Sequence, residues 1–366
     1  MHEYFMEIAL NLAELGRGYT SPNPLVGAVI VKDGRIIGSG YHQKYGGWHA
    51  EIHALNSVRE SLEDATMYVT LEPCSHHGKT PPCCEAVVKS GIKKVVVATI
   101  DPNPLVSGRG IEYLRNHGVE VITDVLGQRS VRMNEIFNKY VTNKKPFVLV
   151  KAAMTLDGKI ATVKLDSKWI SSDKSRMRVQ QLRKQFRSIL VGVGTVIADD
   201  PSLTCRLDED VIQPLRIIVD THGRIPLHSR VLNDEFCGNT LIVMKDSVDH
   251  DLRLRIEEKG VKTLLLKLHE GKIDLHYLME QLGEMGIDSV LIEGGSEIIA
   301  SSLSANIVDK VMFFIAPKII GGRLAKSVVG GDGVDLMKDA LVIDELACEM
   351  VGGDMVATGY IKGGHR

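Results

Sequence analysis

Strand-length apolar runs alternate with helical stretches along almost the whole chain, and this alternation, broken once at Lys144-Lys145-Pro146, most limits the folds open to it. A proline after a lysine pair stops a helix, because its ring clashes with the preceding turn and it has no N–H to donate. The 366 residues also exceed what one core usually accommodates. The reading is therefore two α/β domains, 1–145 and 146–366, each burying a core of its own.

In the first domain, MHEYFMEIALNLAELGRG reads as an amphipathic helix ending near residues 16–18. LVGAVIVKDGRIIGSGYH then reads as a hairpin turning at Asp33-Gly34. A helix through HAEIHALNSVRE, the strand MYVTLEP, a Cys-rich loop, a helix near CEAVVKSG, the strand KKVVVATI, a helix near GIEYLRNHG and the strand EVITDV follow. A hairpin followed by such alternation favours a sheet whose second half is largely parallel. One helix around VRMNEIFNKYVTN leads to the boundary. Beyond it the series restarts with FVLVKAAMT, DGKIAT, a helix through DKSRMRVQQLRKQ, then SILVGVGTV, LRIIVDT, TLIVMKD, TLLLKL, SVLIEGG, a helix through SEIIASSL, and KVMFFIAPKII. No internal repeat links the halves.

Composition narrows the function classes. With 44% hydrophobic and 25% charged residues the chain matches ordinary globular proteins rather than disordered ones. A formal charge of −2 with dispersed Lys and Arg offers no basic stripe for a polynucleotide, so a small polar substrate fits better. The apolar runs are too short to cross a bilayer, and the first residues lack the apolar core of a signal peptide, so a cytoplasmic protein is expected. Apolar edge strands make a homo-oligomer plausible. Of the six cysteines, Cys74, Cys83 and Cys84 crowd one loop, a pattern that suits metal or catalysis better than disulfides.

The sharpest chemical signal is His49-Ala50-Glu51 opening a helix, followed after a strand by Pro73-Cys74 and then Cys83. One imidazole and two thiolates suit a tetrahedral zinc ion with one corner left for water. Zinc lowers the pKa of such a water to about 7, and its protons then need a carrier. Glu51, two residues past the ligand, can reach that water without binding the metal. This is the H-x-E and P-C pattern of zinc nucleobase deaminases. Pro73-Cys74 and Pro81-Pro82-Cys83 both suit helix starts, whose positive ends favour thiolate.

The spacing departs from P-C-x-x-C, because SHHGKTPP separates the cysteines, and Cys84 is the alternative ligand to Cys83. His53, one turn beyond His49, could close the site into a structural staple with no task for Glu51. The metalloprotease order H-E-x-x-H is not met. Asn23, His42, His76 and Lys79 fall in loops that converge on the same mouth if the strands stack as read. There His76 and Lys79 could hold a phosphate or ribose, while Asp101-Pro102-Asn103-Pro104 reads as a turn.

In the second domain, Gly192-x-Gly194 ends a strand and lets backbone amides approach a phosphate, but the third glycine of a dinucleotide fingerprint is missing. Glu293 followed by Gly294-Gly295-Ser296 at a helix start is the better candidate. Lys151, Asp157, Trp169, and Arg183 and Arg206 as phosphate forks complete the set. Their bland alternatives are an apolar core position for Trp169 and a solvated helix face for Arg183.

Taken together, HAE with LEPCSHHGKTPPC, DPNP with GRG, KAAMTLDGKIA, DSKWISS, VGVGTVIADDPSLTCR and IEGGSEI closely resemble the bifunctional riboflavin-biosynthesis deaminase/reductase family, in order and over almost the whole length. In that family the long gap between the cysteines is normal. The resemblance implies a cytidine-deaminase-like three-layer α/β/α domain followed by a dihydrofolate-reductase-like α/β domain. It implies that the first removes the ring 2-amino group of 2,5-diamino-6-ribosylamino-4(3H)-pyrimidinone 5′-phosphate, and that the second uses NADPH to reduce the ribosyl group of the product to ribityl.

Carried over by position, His49, Cys74 and Cys83 look like the zinc ligands, Glu51 the proton shuttle, and Asn23, His42, His76 and Lys79 substrate contacts. In the reductase half, Ala153, Trp169, Thr195, Asp199 and the segment Gly295, Ser296, Glu297, Ile298, Ile299, Ala300 and Ser301 fall where the family contacts NADP. Ser167, Arg183, Leu203, Arg206 and Glu293 fall where it holds substrate, and Lys151 with Glu293 would flank the sugar being reduced. The rival functions are a single-function deaminase with a regulatory nucleotide-binding tail, a zinc-stapled binding protein without turnover, and a polynucleotide deaminase, which the dispersed charge disfavours.

Overall fold

The structure, a computed structural model, describes residues 1–75, 81–104, 106–207 and 210–363. The chain divides into two units, Met1–Lys144 and Lys145–Arg366.

The first unit runs α1 (His2–Glu14), β1 (Gly27–Lys32), β2 (Arg35–Tyr41), α2 (Ala50–Ser57), β3 (Thr66–Val69), α3 (Cys83–Ser90), β4 (Lys94–Val97), α4 (Arg109–Asn116), β5 (Glu120–Ile122), α5 (Gly127–Met133) and α6 (Glu135–Asn143). Its sheet has the order β2-β1-β3-β4-β5. The β1–β2 hairpin closes at the Lys32–Arg35 pair, β3 lies antiparallel to β1, and β3, β4 and β5 are mutually parallel. Side chains on a strand alternate between faces, and both faces here are apolar. Val29, Val31, Tyr68 and Val96 pack under Phe5, Met6, Ala9 and Leu10 of α1. On the other face Ala28, Ile30, Met67, Val69, Val95 and Val97 pack with Ala50 and Ala54 of α2, Val87 of α3 and Leu114 of α4. Three layers result, with α2 and α3 starting side by side over one face of the sheet.

The helix expected around VRMNEIFNKYVTN is instead two, because Asn134 interrupts it. The buried Asn134 amide turns to the Leu25 backbone, accepting its N–H at 2.8 Å and donating to its carbonyl at 3.0 Å. A local helical pattern cannot reveal a partner 109 positions away.

The second unit runs β6 (Phe147–Thr155), α7 (Asp173–Gln185), β7 (Ser188–Gly192), α8 (Val193–Asp199), β8 (Leu215–Val219), α9 (Arg230–Asn233), β9 (Thr240–Lys245), α10 (His250–Glu257), β10 (Lys262–Leu266), β11 (Leu268–His269), β12 (Lys272–Ile273), α11 (Leu275–Glu284), β13 (Ser289–Ile292), α12 (Ser296–Ser304), β14 (Lys310–Ala316), β15 (Ile343–Val351) and β16 (Asp354–Ile361). Apart from the small β11–β12 ladder, the strands form one sheet of order β10-β9-β8-β7-β13-β6-β14-β16-β15. Strands β10 to β14 in that order are parallel and β16 and β15 antiparallel. From β7 the chain works outward through β8, β9 and β10, then returns to insert β13 between β7 and β6. Open α/β sheets bind ligands beyond the carboxyl ends of strands at such a reversal of strand order.

Two expectations change here. The run DGKIAT is no sheet strand; Lys159 makes an isolated bridge to Ser327. The C-terminal hairpin β15–β16 was not anticipated, although Gly352-Gly353 takes φ of 61° and 93°, the positive values a tight hairpin turn demands of both central residues.

Candidate active sites

Three ligand-type side chains converge at the starts of α2 and α3. His49 is the N-cap of α2, Cys83 is the first residue of α3 after Pro82, and Cys74 lies in irregular chain after β3 rather than at a helix start as expected. The ligand atoms of His49, Cys74 and Cys83 lie within 4.8 Å of one another, with His49 Nδ1 at 3.6 Å from Cys74 Sγ and 3.2 Å from Cys83 Sγ. The Cys83 N–H at the positive end of α3 donates to Cys74 Sγ at 3.3 Å, favouring the thiolate. Cys74 is drawn down to about 4 by its hydrogen bond with Cys83, against burial and with help from His49. His49 rises to about 9 through its hydrogen bond to Cys74. An imidazolium cannot ligate a cation, so metal must displace that proton and bind less well as pH falls.

An imidazole and two sulfurs so gathered are the donor set of a zinc site with one open corner, and the residues fit the ion. His53 is not part of the cluster; its ring lies 5.6 Å from that of Trp48. Cys84 packs into the apolar core beside Val87, and burial pushes its thiol up to about 11.

Glu51 sits in the first turn of α2, 3% exposed. Burial, then the Cys74 charge, raises it to about 7 against the pull of His49. A carboxyl poised near neutrality can both accept and return a proton. Above it opens a cavity of about 420 Å³, walled by Asn23, His42, Tyr45, Leu71, Asp101, Asn103, Phe137 and Tyr140 among others. His42 Nδ1 donates to the Trp48 carbonyl at 2.9 Å, and its Nε2 stands 3.2 Å from Asn23 Nδ2, which donates to it. Burial lowers the His42 pKa, so it accepts from Asn23 as a neutral ring and holds that amide toward the cavity. The structure thus brings Asn23 and His42 to one mouth with Glu51. His76 and Lys79 lie outside the described residues.

The second unit gathers its charges at the carboxyl ends of β6 and β13. Val150 pairs with Ile292, which sets Lys151 beside Glu293 on the face opposite the core that buries Val150 and Ile292. Glu293 is gripped by Arg183 of α7, at 2.6 Å to Nε and 2.7 Å to Nη2, while Nη1 donates to the Thr204 carbonyl at 2.8 Å. Arg183 is 8% exposed, so it is neither a solvated helix residue nor a free phosphate fork; Glu293 occupies its fork. Burial would raise the Glu293 pKa, but the Arg183 charge and hydrogen bonds, with Lys151, outweigh it and hold the carboxylate ionised. Burial lowers the pKa of Lys151, partly offset by Glu293, and its Nζ lies 5.7 Å from the Phe314 ring centroid.

Ser167 Oγ donates to Asp199 Oδ1 at 3.3 Å, and Arg206 Nη1 donates to Ser202 Oγ at 2.8 Å. Trp169 is 65% exposed under the Arg176 guanidinium, which replaces the core alternative. Leu203 is buried at φ 51° in the same loop. Thr195 adjoins Gly295, where α8 and α12 begin side by side, and Ala153 lies opposite Phe314 in the β6–β14 register. Of the expected cofactor segment, Ile299 faces the core and bonds its N–H to the Gly295 carbonyl, and Ile298 and Ala300 are also buried.

Residues 146–356 match the RibD C-terminal domain, and residues 1–99 the cytidine and deoxycytidylate deaminase zinc-binding region. The riboflavin biosynthesis protein RibD of Actinobacillus pleuropneumoniae is 46% identical over 96% of this chain and 93% of its own, and that of Escherichia coli 40% over 92% and 93%. The chain belongs to the RibD family of bifunctional riboflavin-biosynthesis deaminase/reductases. Among solved structures, Acinetobacter baumannii RibD superposes with a TM-score of 0.88 at 36% identity, covering 98% of each chain. The Thermotoga maritima diaminohydroxyphosphoribosylaminopyrimidine deaminase/5-amino-6-(5-phosphoribosylamino)uracil reductase gives 0.86 at 40% identity and the same coverage. Family membership makes this chain a deaminase and a reductase of riboflavin biosynthesis, and sets aside the rivals with one activity or none.

Sequence reasoning missed three things in these sites. Glu72 is a buried carboxylate in the deaminase cavity wall, hidden in the motif as the residue before Pro73. Phe137 and Tyr140 of α6 join that wall from a helix read only as a connector. Arg216, 1% exposed, ties the Ser202 carbonyl to Asp234, and an arginine inside the apolar strand LRIIV was the available signal.

Proposed function

We propose that the first unit hydrolyses the 2-amino group of 2,5-diamino-6-ribosylamino-4(3H)-pyrimidinone 5′-phosphate to ammonia, and that the second uses NADPH to reduce the ribosyl group of the resulting 5-amino-6-(5-phosphoribosylamino)uracil to ribityl. The observation that carries the first half is a buried carboxyl, Glu51, beside the His49, Cys74 and Cys83 cluster below a cavity of about 420 Å³. That space suits one phosphoribosyl pyrimidine. Zinc held by those three residues would supply a water acidified to a pKa of about 7. Glu51 takes one proton from the attacking water and delivers it to the ring nitrogen, then takes the second from the hydroxyl now on the ring carbon and passes it to the amine, which leaves as ammonia as the carbonyl forms. Asn23, held by His42, orients the ring.

In the second unit a bound nicotinamide would supply a hydride to the opened sugar, and Lys151 would give the proton that accompanies it. Burial makes this ammonium more acidic than usual, and Glu293, kept ionised by Arg183, stays a fixed negative charge beside it. The helix start at Gly295 and Ser296 and the adjoining Thr195 support a pyrophosphate position there.

Incubating the purified chain with the diaminopyrimidine and NADPH, alongside metal analysis, tests both halves. Ammonia release, nicotinamide oxidation and about one zinc per chain are expected. Ammonia release that survives removal of the metal would overturn the deaminase mechanism, and ammonia without NADPH oxidation would overturn the reductase assignment.

We further propose that copies of the chain associate through the reductase unit. The edge strand β15 exposes Leu346 at 62% and Met350 at 69%, and bare apolar edge strands are pairing surfaces. Sedimentation should give an oligomer that Leu346→Lys weakens. Among the described residues no helix is long and apolar enough to cross a membrane. Cys74 and Cys83, committed to the ligand cluster, and Cys84, committed to the core, support a reducing compartment, the cytoplasm.

A further inference from the structure

Glu72 is a buried carboxylate that deamination, as derived above, leaves without a task. It is 3% exposed, lies two residues before Cys74, and is not part of the ligand cluster. A carboxylate withdrawn from water needs compensating donors, and four backbone N–H groups supply them. Oε2 accepts from Asp101 at 3.1 Å and Gly108 at 2.9 Å; Oε1 accepts from Gly110 at 2.8 Å and Ile111 at 3.3 Å. Gly110 and Ile111 stand in the first turn of α4, whose N-cap, Gly108, has no side chain to accept their hydrogens. Glu72 caps that helix from elsewhere in the chain, with a negative charge at its positive end. Glycine is required at 110, since a Cβ would fall 2.0 Å from the Pro73 carbonyl oxygen.

The clamped loop is also the cavity wall. Asp101, Asn103 and Val106 line the space above Glu51, together with Glu72 itself. The Asn103 N–H donates to Asp101 Oδ1 at 2.8 Å, so holding Asp101 also holds Asn103.

We infer that Glu72 is a positioning residue for deamination, which orders the wall at residues 101–104 and 106–111 against the chain segment bearing Cys74 before substrate arrives. It acts through the loop, on substrate binding, and not through the metal or the proton transfers. The inference rests on the deaminase reading, and its test separates the two. In the zinc-loaded full-length chain, Glu72→Gln keeps the shape but turns an NH2 group toward two of the four N–H donors.

Three results are expected. Amide exchange at residues 108–111 rises at least about tenfold, with α2 unchanged, because two hydrogen bonds to a charge are lost. The KM for the diaminopyrimidine rises at least about tenfold while kcat stays within about threefold. Zinc content and the rate of reduction, measured with the uracil substrate, hold at the parent values. Glu72→Asp, which keeps the charge on a shorter arm, recovers part of the KM. Unchanged exchange, unchanged KM with faster exchange, or zinc loss with a constant KM would each overturn the clamp. Should Glu72→Gln lose both activities, Glu72→Asp carries the same comparison, and loss of both there would make Glu72 a residue of the fold alone. A parent chain that binds zinc but releases no ammonia would defeat the deaminase reading, while the exchange measurement still reports on the clamp.

Discussion

The two units bury a carboxyl at the heart of each site and treat it in opposite ways. Among the described residues no cationic side chain grips Glu51 as Arg183 grips Glu293, and desolvation lifts it to about 7, where it can exchange protons at neutral pH. Glu293, its side chain 6% exposed, is also withdrawn from water, but the bidentate Arg183 overrides desolvation and keeps it charged. Burial alone therefore does not say what a carboxyl does. The partner decides whether it becomes a carrier of protons or a fixed charge. The same contrast extends to the loops: a buried anion, Glu72, clamps the deaminase wall, whereas buried cations, Arg183 and Arg216, hold the carbonyls of Thr204 and Ser202 beside the reductase site.

The largest expected effect breaks one side of the comparison and leaves the other. Glu51→Gln cannot carry protons and should lower the kcat of deamination by about 10²–10⁴-fold, with zinc content and NADPH oxidation at parental levels. Equal loss of both activities in stopped-flow and ammonia assays would show the units are not separable in function. Next, Lys151→Ala and Glu293→Gln should each abolish most reduction, by about 10²-fold or more, and keep deamination. If Glu293→Gln reduces normally, Glu293 is not the charge that supports Lys151.

Removing the partner sharpens the contrast. Arg183→Met leaves an uncompensated buried carboxylate and should destabilise the reductase unit by about 3–5 kcal/mol in denaturant titration. The sign with pH should also invert. In the parent, Glu293 has a folded pKa below its unfolded value of about 4.3, so its contribution is present above that value and lost as pH falls through the folded pKa. In the variant, burial, the largest influence on Glu293, is opposed only by the smaller pulls of Lys151 and Arg206 and raises the folded pKa, so stability should instead fall as pH rises past about 4.3. Parallel pH profiles for the two proteins would refute the account of the pair. The smallest effect concerns adjacent sulfurs: Cys84→Ala should cost about 1 kcal/mol and keep zinc and turnover, whereas Cys83→Ala should lose both.

Legibility differs between the units for a physical reason. His49, Glu51, Cys74 and Cys83 lie at or near the ends of short elements within a single stretch, and ligand chemistry restricts their types, so the motif is readable. The Arg183–Glu293 pair spans 110 positions, and the residue type does not distinguish Arg183 from the half-buried Arg176 or the exposed Arg178 of the same helix as the one that grips a carboxylate. Glu72 was visible as a letter beside Pro73, yet its four donors come from a loop some thirty positions on that reads as an ordinary turn. The C-terminal hairpin carried its Gly-Gly turn in plain sight.

By itself the sequence determined the alternation of strands and helices, the stop at Pro146, and the kinds of side chain able to hold zinc and move protons, because these depend on short-range periodicity and on side-chain chemistry. Only the tertiary structure decided which charges meet and which loops they hold. Inserting β13 between β7 and β6 sets Glu293 beside Lys151 and beneath Arg183, and the packing of α4 on Pro73 sets four N–H groups around Glu72. Pairings of that kind depend on where the backbone returns, and the dielectric around them, which sets their protonation, exists only once both cores have closed.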